Sequence, residues 1–141
     1  MTKLTLAHAD TIIDAALAKG AELGLKPLGV AVLDAGGHLV AFRRQDNASF
    51  LRPQIAIGKA WGALALGVPS RAIAGMAAER PSFVASLGPI AEGGIIPAPG
   101  GVLIAGEGGF LGAVGVTGDT SDNDEACALA GIAAAGLSVA G

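Results

Sequence analysis

Chemistry is most legible in the segment Gly115-Val-Thr-Gly-Asp-Thr-Ser-Asp-Asn-Asp-Glu-Ala-Cys127. It reads as a strand ending at Thr117, a glycine turn, and a helix beginning near Ser121. A helix N-terminus offers unpaired N–H groups and a partial positive charge, which phosphate-binding loops exploit. Here Asp119, Asp122, Asp124 and Glu125 already supply negative charge, so a highly charged phosphate is disfavoured. Ser121 reads as the cap of the helix and Asp124 as the closing member of a capping box. The Asp-x-Asp-x-Asp-Gly order of a calcium loop is missing. Thr117, Gly118, Asp119 and Thr120 make a turn of small residues at a strand end, where a ligand can come close to backbone. Asp119 precedes the cap, so it is the acid expected to face a cavity.

The basic groups are few. Lys59 lies among Ile55, Ala56 and Ala63, so it must snorkel, pair with an acid or face a cavity. Paired with Asp119, it would be the second catalytic candidate, able to hold or move a proton. Arg43, Arg44 and Asp46 follow a strand. They could grip a carboxylate, as guanidinium forks do, or be solvated loop charges. Arg80 is a further candidate for that grip. His8 falls in the first turn of a helix and His38 in a hairpin. Neither has a second ligand at metal spacing, so both read as surface residues and no metal site is expected. No Ser-His-Asp or Cys-His arrangement is readable, and Cys127 reads as a buried small residue.

The elements that must position these groups follow from periodicity. Residues 5 to 23 form an amphipathic helix, capped by Thr5 and stopped by Gly24. Leu28–Leu33 and Leu39–Phe42 are strands joined by the turn Asp34-Ala-Gly-Gly-His38. Arg43–Asn47 reads as a polar loop. Residues 53 to 66 are helical, with Pro53 tolerated in the first turn. A third helix starts at Pro69, carries Ser70 in its first turn and ends before Pro81. Gly93–Pro97, Gly101–Ala105 and Phe110–Val116 are apolar, strand-like stretches between glycine turns, with Gly106-Glu-Gly-Gly109 a hairpin signal. The chain closes on a helix from about Ser121, and the apolar run from Ala126 to Val139 reads as packed helix. Short turns require antiparallel pairing, so the expected fold is α/β (α+β), one domain with a mostly antiparallel sheet and helices packed on it.

Composition narrows the partners. The chain has 141 residues, a net charge of −3 and only 9 basic residues, which form no run. That argues against phosphate neutralisation and so against nucleic acid. The longest apolar run falls short of the roughly 20 strongly apolar residues of a membrane span. The N-terminus shows no secretory pattern, and the lone cysteine cannot close an internal disulfide, which fits a cytoplasmic setting. Charged residues make up 15% and apolar residues 52%. Either part of the exterior is buried against other copies, or the chain is simply rich in alanine.

Several motifs in fixed order resemble one family. Val30-Ala-Val-Leu-Asp-Ala-Gly-Gly-His-Leu-Val40, Arg44-Gln-Asp-Asn-Ala48 and Ile57-Gly-Lys-Ala60 look like the GlcG/HbpS haem-binding or haem-degrading domains, related to the C-terminal domain of PduO-type proteins. So do Arg80-Pro-Ser-Phe83, the run from Gly93 to Gly101 and the run from Gly115 to Ala126. The resemblance implies a profilin-like fold with about five antiparallel strands and helices on both faces. It also implies homo-oligomers, often octamers, and haem as a possible cofactor. Three functions follow from it: a small-ligand or haem-binding protein, an enzyme acting on a small carboxylate by proton transfer or hydrolysis, and a non-catalytic oligomeric accessory protein. For haem, the absent tyrosine and the two poorly placed histidines imply loose binding that neither His8 nor His38 governs. For the enzyme, the pocket would join Asp119 and Lys59 to Arg44, Arg80, Thr117, Gly118 and Thr120.

Overall fold

The computed structural model describes residues 3–141. Five helices, α1 (Leu6–Leu23), α2 (Arg52–Leu66), α3 (Ser70–Glu79), α4 (Pro81–Leu87) and α5 (Ser121–Ala134), accompany five strands. The strands are β1 (Gly29–Asp34), β2 (Leu39–Arg44), β3 (Gly101–Gly106), β4 (Gly109–Thr117) and β5 (Val139–Ala140). They form one sheet in the order β2-β1-β4-β3-β5, antiparallel at every pairing. Helices α1 and α5 cover one face and α2 the other, as the resemblance implied.

The period of two along the strands divides the core. Val30, Val32, Val102, Ile104, Val114 and Val116 face α1 and α5, where Ile12, Ile13, Cys127 and Ile132 complete a buried cluster. Leu33, Leu103 and Ala113 turn the other way, onto Ala60 and Ala63 of α2. This second layer is thin because helix and sheet meet backbone to backbone. A Cβ on Gly115 would lie 1.9 Å from the Ala56 carbonyl oxygen, and one on Gly101 would lie 2.2 Å from that of Lys59. Glycine at both places lets α2 sit on the sheet and carries Lys59 inward.

Thr5 caps α1 through the His8 N–H, and Gly24 stops it with a φ of 68°. Elsewhere local readings give way to tertiary ones. β2 extends through Arg43 and Arg44 rather than ending at Phe42, because Gly29 and Val30 supply backbone partners for both. Gly93–Pro97 is no strand. Gly94 takes a φ of 89°, which breaks the extended run. Ile95 and Ile96 then lie over Gly62 and Gly58 of α2, within 3.2 Å and 2.8 Å of where a Cβ would stand. Pro81 opens the short helix α4, which periodicity did not disclose. The closing helix stops at Ala134, Gly136 reverses the chain with a φ of 73°, and Val139–Ala140 add an edge strand to β3. Among the described residues, no helix is long and apolar enough to cross a membrane.

Candidate functional site

The two ends of the sheet carry different chemistry. At one end β4 finishes at Thr117, beside the starts of β1 and β3. Lys59 reaches this end from α2. Its Nζ donates to the Val116 carbonyl at 2.9 Å and to Asp124 Oδ2 at 3.2 Å. Both side chains are almost wholly buried, at 3% and 2% exposure. Burial pushes the Lys59 amine down and the Asp124 carboxyl up, and their opposite charges work against both shifts. The Asp124 Oδ1 accepts the Asp119 N–H at 2.9 Å. Arg52, which the sequence reading passed over, donates from Nη1 to Thr117 Oγ1 at 2.8 Å. Its signal was its place at the start of α2, the same helix that carries Lys59 two turns further on.

The expected capping scheme shifts by one residue. Thr120, in extended backbone, is the N-cap of α5, and Ser121 is its first helical residue. Asp124 closes no capping box, because its carboxylate is turned inward to Lys59 and the Asp119 amide. Asp119 holds the turn together. Its Oδ2 accepts from Lys26 N at 3.0 Å, and its Oδ1 accepts from Thr120 N at 2.8 Å and Asn123 Nδ2 at 2.9 Å. Hydrogen bonding from Asn123, Lys26 and Thr120 lowers its carboxyl from 3.8 to about 2. Gly118 has a φ of 142° and packs on Pro27, whose carbonyl oxygen would be 2.3 Å from a Cβ there.

The structure thus brings Lys59, Thr117, Gly118, Asp119 and Thr120 to one end of the sheet, but it pairs Lys59 with Asp124. Arg44 and Arg80 make other contacts. Arg44 Nη1 donates to the Ala48 carbonyl at 3.3 Å, and its side chain lines a shallow cleft with Gln45 and Pro27. Arg80 stacks on Phe83, 4.2 Å from the ring centre. Among the described residues, no buried side-chain polar atom lacks a hydrogen bond.

The other end of the sheet is open. Between the β1–β2 turn, the β3–β4 turn and the loop after α5 lies a cavity of about 730 Å³. Leu4, Phe110, Leu111 and Leu137 give it apolar walls, and Lys3, Asp34, His38 and Glu107 add charge or polarity. The volume falls within the usual range for small-molecule sites, roughly 300–1,000 Å³. Asp34 organises the β1–β2 turn. Its Oδ1 accepts from Gly36 N and His38 N, both at 3.0 Å, and lies 3.1 Å from His38 Nδ1. Partial burial raises the Asp34 carboxyl, but these donors outweigh it and hold the group below its ordinary value. Sequence reading missed this site because its residues come from three separate turns and from the segment before α1. Among the described residues, no cluster of three or more His, Cys, Asp or Glu could hold a bare metal ion.

An antiparallel five-stranded sheet, helices on both faces and a cavity among the turns at one end define a profilin-like α/β domain. The chain belongs to the family described as haem degrading protein HbpS-like, whose model matches residues 4–133. Solved structures agree. The crystal structure of HbpS is 28% identical, with a TM-score of 0.80, and covers 94% of this chain and 90% of its own. The Klebsiella pneumoniae protein ORFY is 26% identical, with a TM-score of 0.85 and coverage of 96% and 93%. A PduOC–haem complex is 21% identical and has the same fold, with a TM-score of 0.87 over 99% of this chain and 100% of that one. No curated protein is matched.

Proposed function

We propose that this chain binds a flat, largely apolar ligand of the haem class in the cavity at the Asp34 end of the sheet. The observation that carries this reading is the cavity itself, about 730 Å³ with aliphatic and aromatic walls. Family membership supports the choice of haem among apolar ligands. The residues present fit the group. Leu4, Phe110, Leu111 and Leu137 offer surface to a porphyrin face, and Lys3 offers a cation to a propionate. When bound, haem supplies an iron centre that accepts an axial ligand and exchanges electrons.

Titration with hemin, followed in the Soret region, tests the reading. Saturable binding is expected for the wild type. Ser138→Trp should weaken it at least tenfold, because Ser138 is an exposed residue on the cavity wall and a bulky ring there fills the space. No saturable change in the wild type, or equal binding by Ser138→Trp, would overturn the assignment.

The same reading includes self-association. It is supported by the exposure of Phe50 at 87% and Ile90 at 77%, which an isolated 13.6 kDa domain leaves in water. Light scattering should return a multiple of that mass, and a monomer at micromolar concentration would refute it.

A further inference from the structure

The two histidines differ in a way that their sequence positions do not reveal. His8 Nδ1 accepts the Thr5 N–H at 3.1 Å within the α1 capping box. Its neutral ring therefore carries the proton on Nε2, and neither nitrogen offers a free lone pair. His38 is the reverse case. Its Nδ1 faces the Asp34 carboxylate, which can only accept, so in the neutral ring Nδ1 carries the proton and Nε2 keeps its lone pair. That Nε2 has no partner among the described residues, and the side chain is 80% exposed on the cavity wall. A carboxylate behind an imidazole is the arrangement that fixes the tautomer and raises the basicity of iron- and zinc-bound histidines. The ring also has a seat. A Cβ on Gly36 would stand 2.7 Å from His38 Cε1 and 2.9 Å from Nδ1, so the imidazole lies directly against the glycine.

We infer that His38 Nε2 is the axial ligand to iron in this cavity, oriented by Asp34 and by the bare backbone of Gly36. This inference rests on the haem-class reading above, and it adds the residue that touches the metal. It replaces the sequence-based expectation that neither histidine governs binding. Asp34 and Gly36 are positioning residues: one sets the tautomer and the other leaves room for the ring.

Hemin titrations of the full chain, read by absorption and by electron paramagnetic resonance, test it. The wild type should show a nitrogen-ligated spectrum. His38→Ala should lose that spectrum and bind at least tenfold more weakly, and free imidazole should restore it. His8→Ala should match the wild type. Gly36→Val keeps the imidazole but displaces it, so its spectrum should change without loss of the folded circular dichroism signal. Asp34→Asn should keep ligation while shifting the iron reduction potential upward, because the anionic partner of the imidazole is gone. A wild-type spectrum in His38→Ala overturns the ligand assignment and leaves the cavity reading intact, provided Ser138→Trp still blocks binding. No hemin binding by the wild type overturns both.

Discussion

The Thr117 end of the sheet and the Asp34 end are built from similar parts, yet one has only a shallow cleft beside it and the other opens on a cavity of about 730 Å³. Each joins a carboxylate to a turn through backbone N–H groups, Asp119 at one end and Asp34 at the other. At the Thr117 end Lys59 and Asp124 turn inward and link helices from opposite faces around the end of β4. At the Asp34 end the polar groups line a cavity with apolar walls. The polar side chains of the Thr117 end thus bond to one another and to the backbone of the turn. A ligand needs vacant space more than it needs charge, and vacant space is left where short turns diverge.

The contrast is broken most severely at Lys59. Lys59→Met strands the Asp124 carboxylate in a dry interior, and such a loss costs about 3–5 kcal/mol. Urea denaturation should show it, and Lys59→Met with Asp124→Leu should recover a large part. The double variant should still titrate hemin like the wild type, since the change lies at the opposite end of the sheet. A Lys59→Met variant within about 1 kcal/mol of the wild type would show that the pair does not hold this end together.

A smaller effect separates the two cap assignments. Thr120→Ala should lose about 1 kcal/mol as the Asn123 N–H loses its acceptor. Ser121→Ala should stay within about 0.5 kcal/mol, in contrast to the loss expected when Ser121 is read as the cap. Paired thermal melts decide between them, and equal effects would return the cap to doubt.

The mildest test uses acid. Asp119 titrates at about 2 in the folded chain against an ordinary 3.8, so folding favours its ionised form. Its contribution is complete above the ordinary value and fades as pH falls from near 3.8 toward 2. Asp119→Asn removes the titrating group, so the fall in stability through that window should be shallower than in the wild type. Identical acid limbs would mean that the carboxylate acts in solvent rather than as the fastener of the turn. If Asp119→Asn instead impaired hemin binding while leaving stability unchanged, the division between the two ends would fail.

Much of the fold was legible before any coordinates. Apolar stretches between turn residues placed β1, β3 and β4, helical periodicity placed α1 and α2, and Thr5 and Gly24 marked the ends of α1. These signals are local, carried by neighbours a few residues apart. The same pattern misread Gly93–Pro97, because an apolar stretch that fills the glycine gaps of α2 looks like a strand in one dimension. It could not find β5, whose two residues are extended only because β3 pairs with them.

The site followed the same division. Residue types alone showed that Lys59 had to snorkel, pair with an acid or face a cavity, and that the turn from Thr117 to Thr120 brought small residues to a strand end. Which acid Lys59 meets is decided by how closely α2 settles on Gly101 and Gly115, a distance of helix-to-sheet packing that no local spacing encodes. His38 lay in plain view within Asp34-Ala-Gly-Gly-His38, with its carboxylate four residues away. That it borders a cavity depends on the β3–β4 turn and the loop after α5 meeting β1 and β2 at one end of the sheet. Sequence determined most of the elements and the caps of α1. Only the tertiary structure decided at which end of the sheet the cavity among the turns would form, because enclosed volume arises where segments distant in the chain converge.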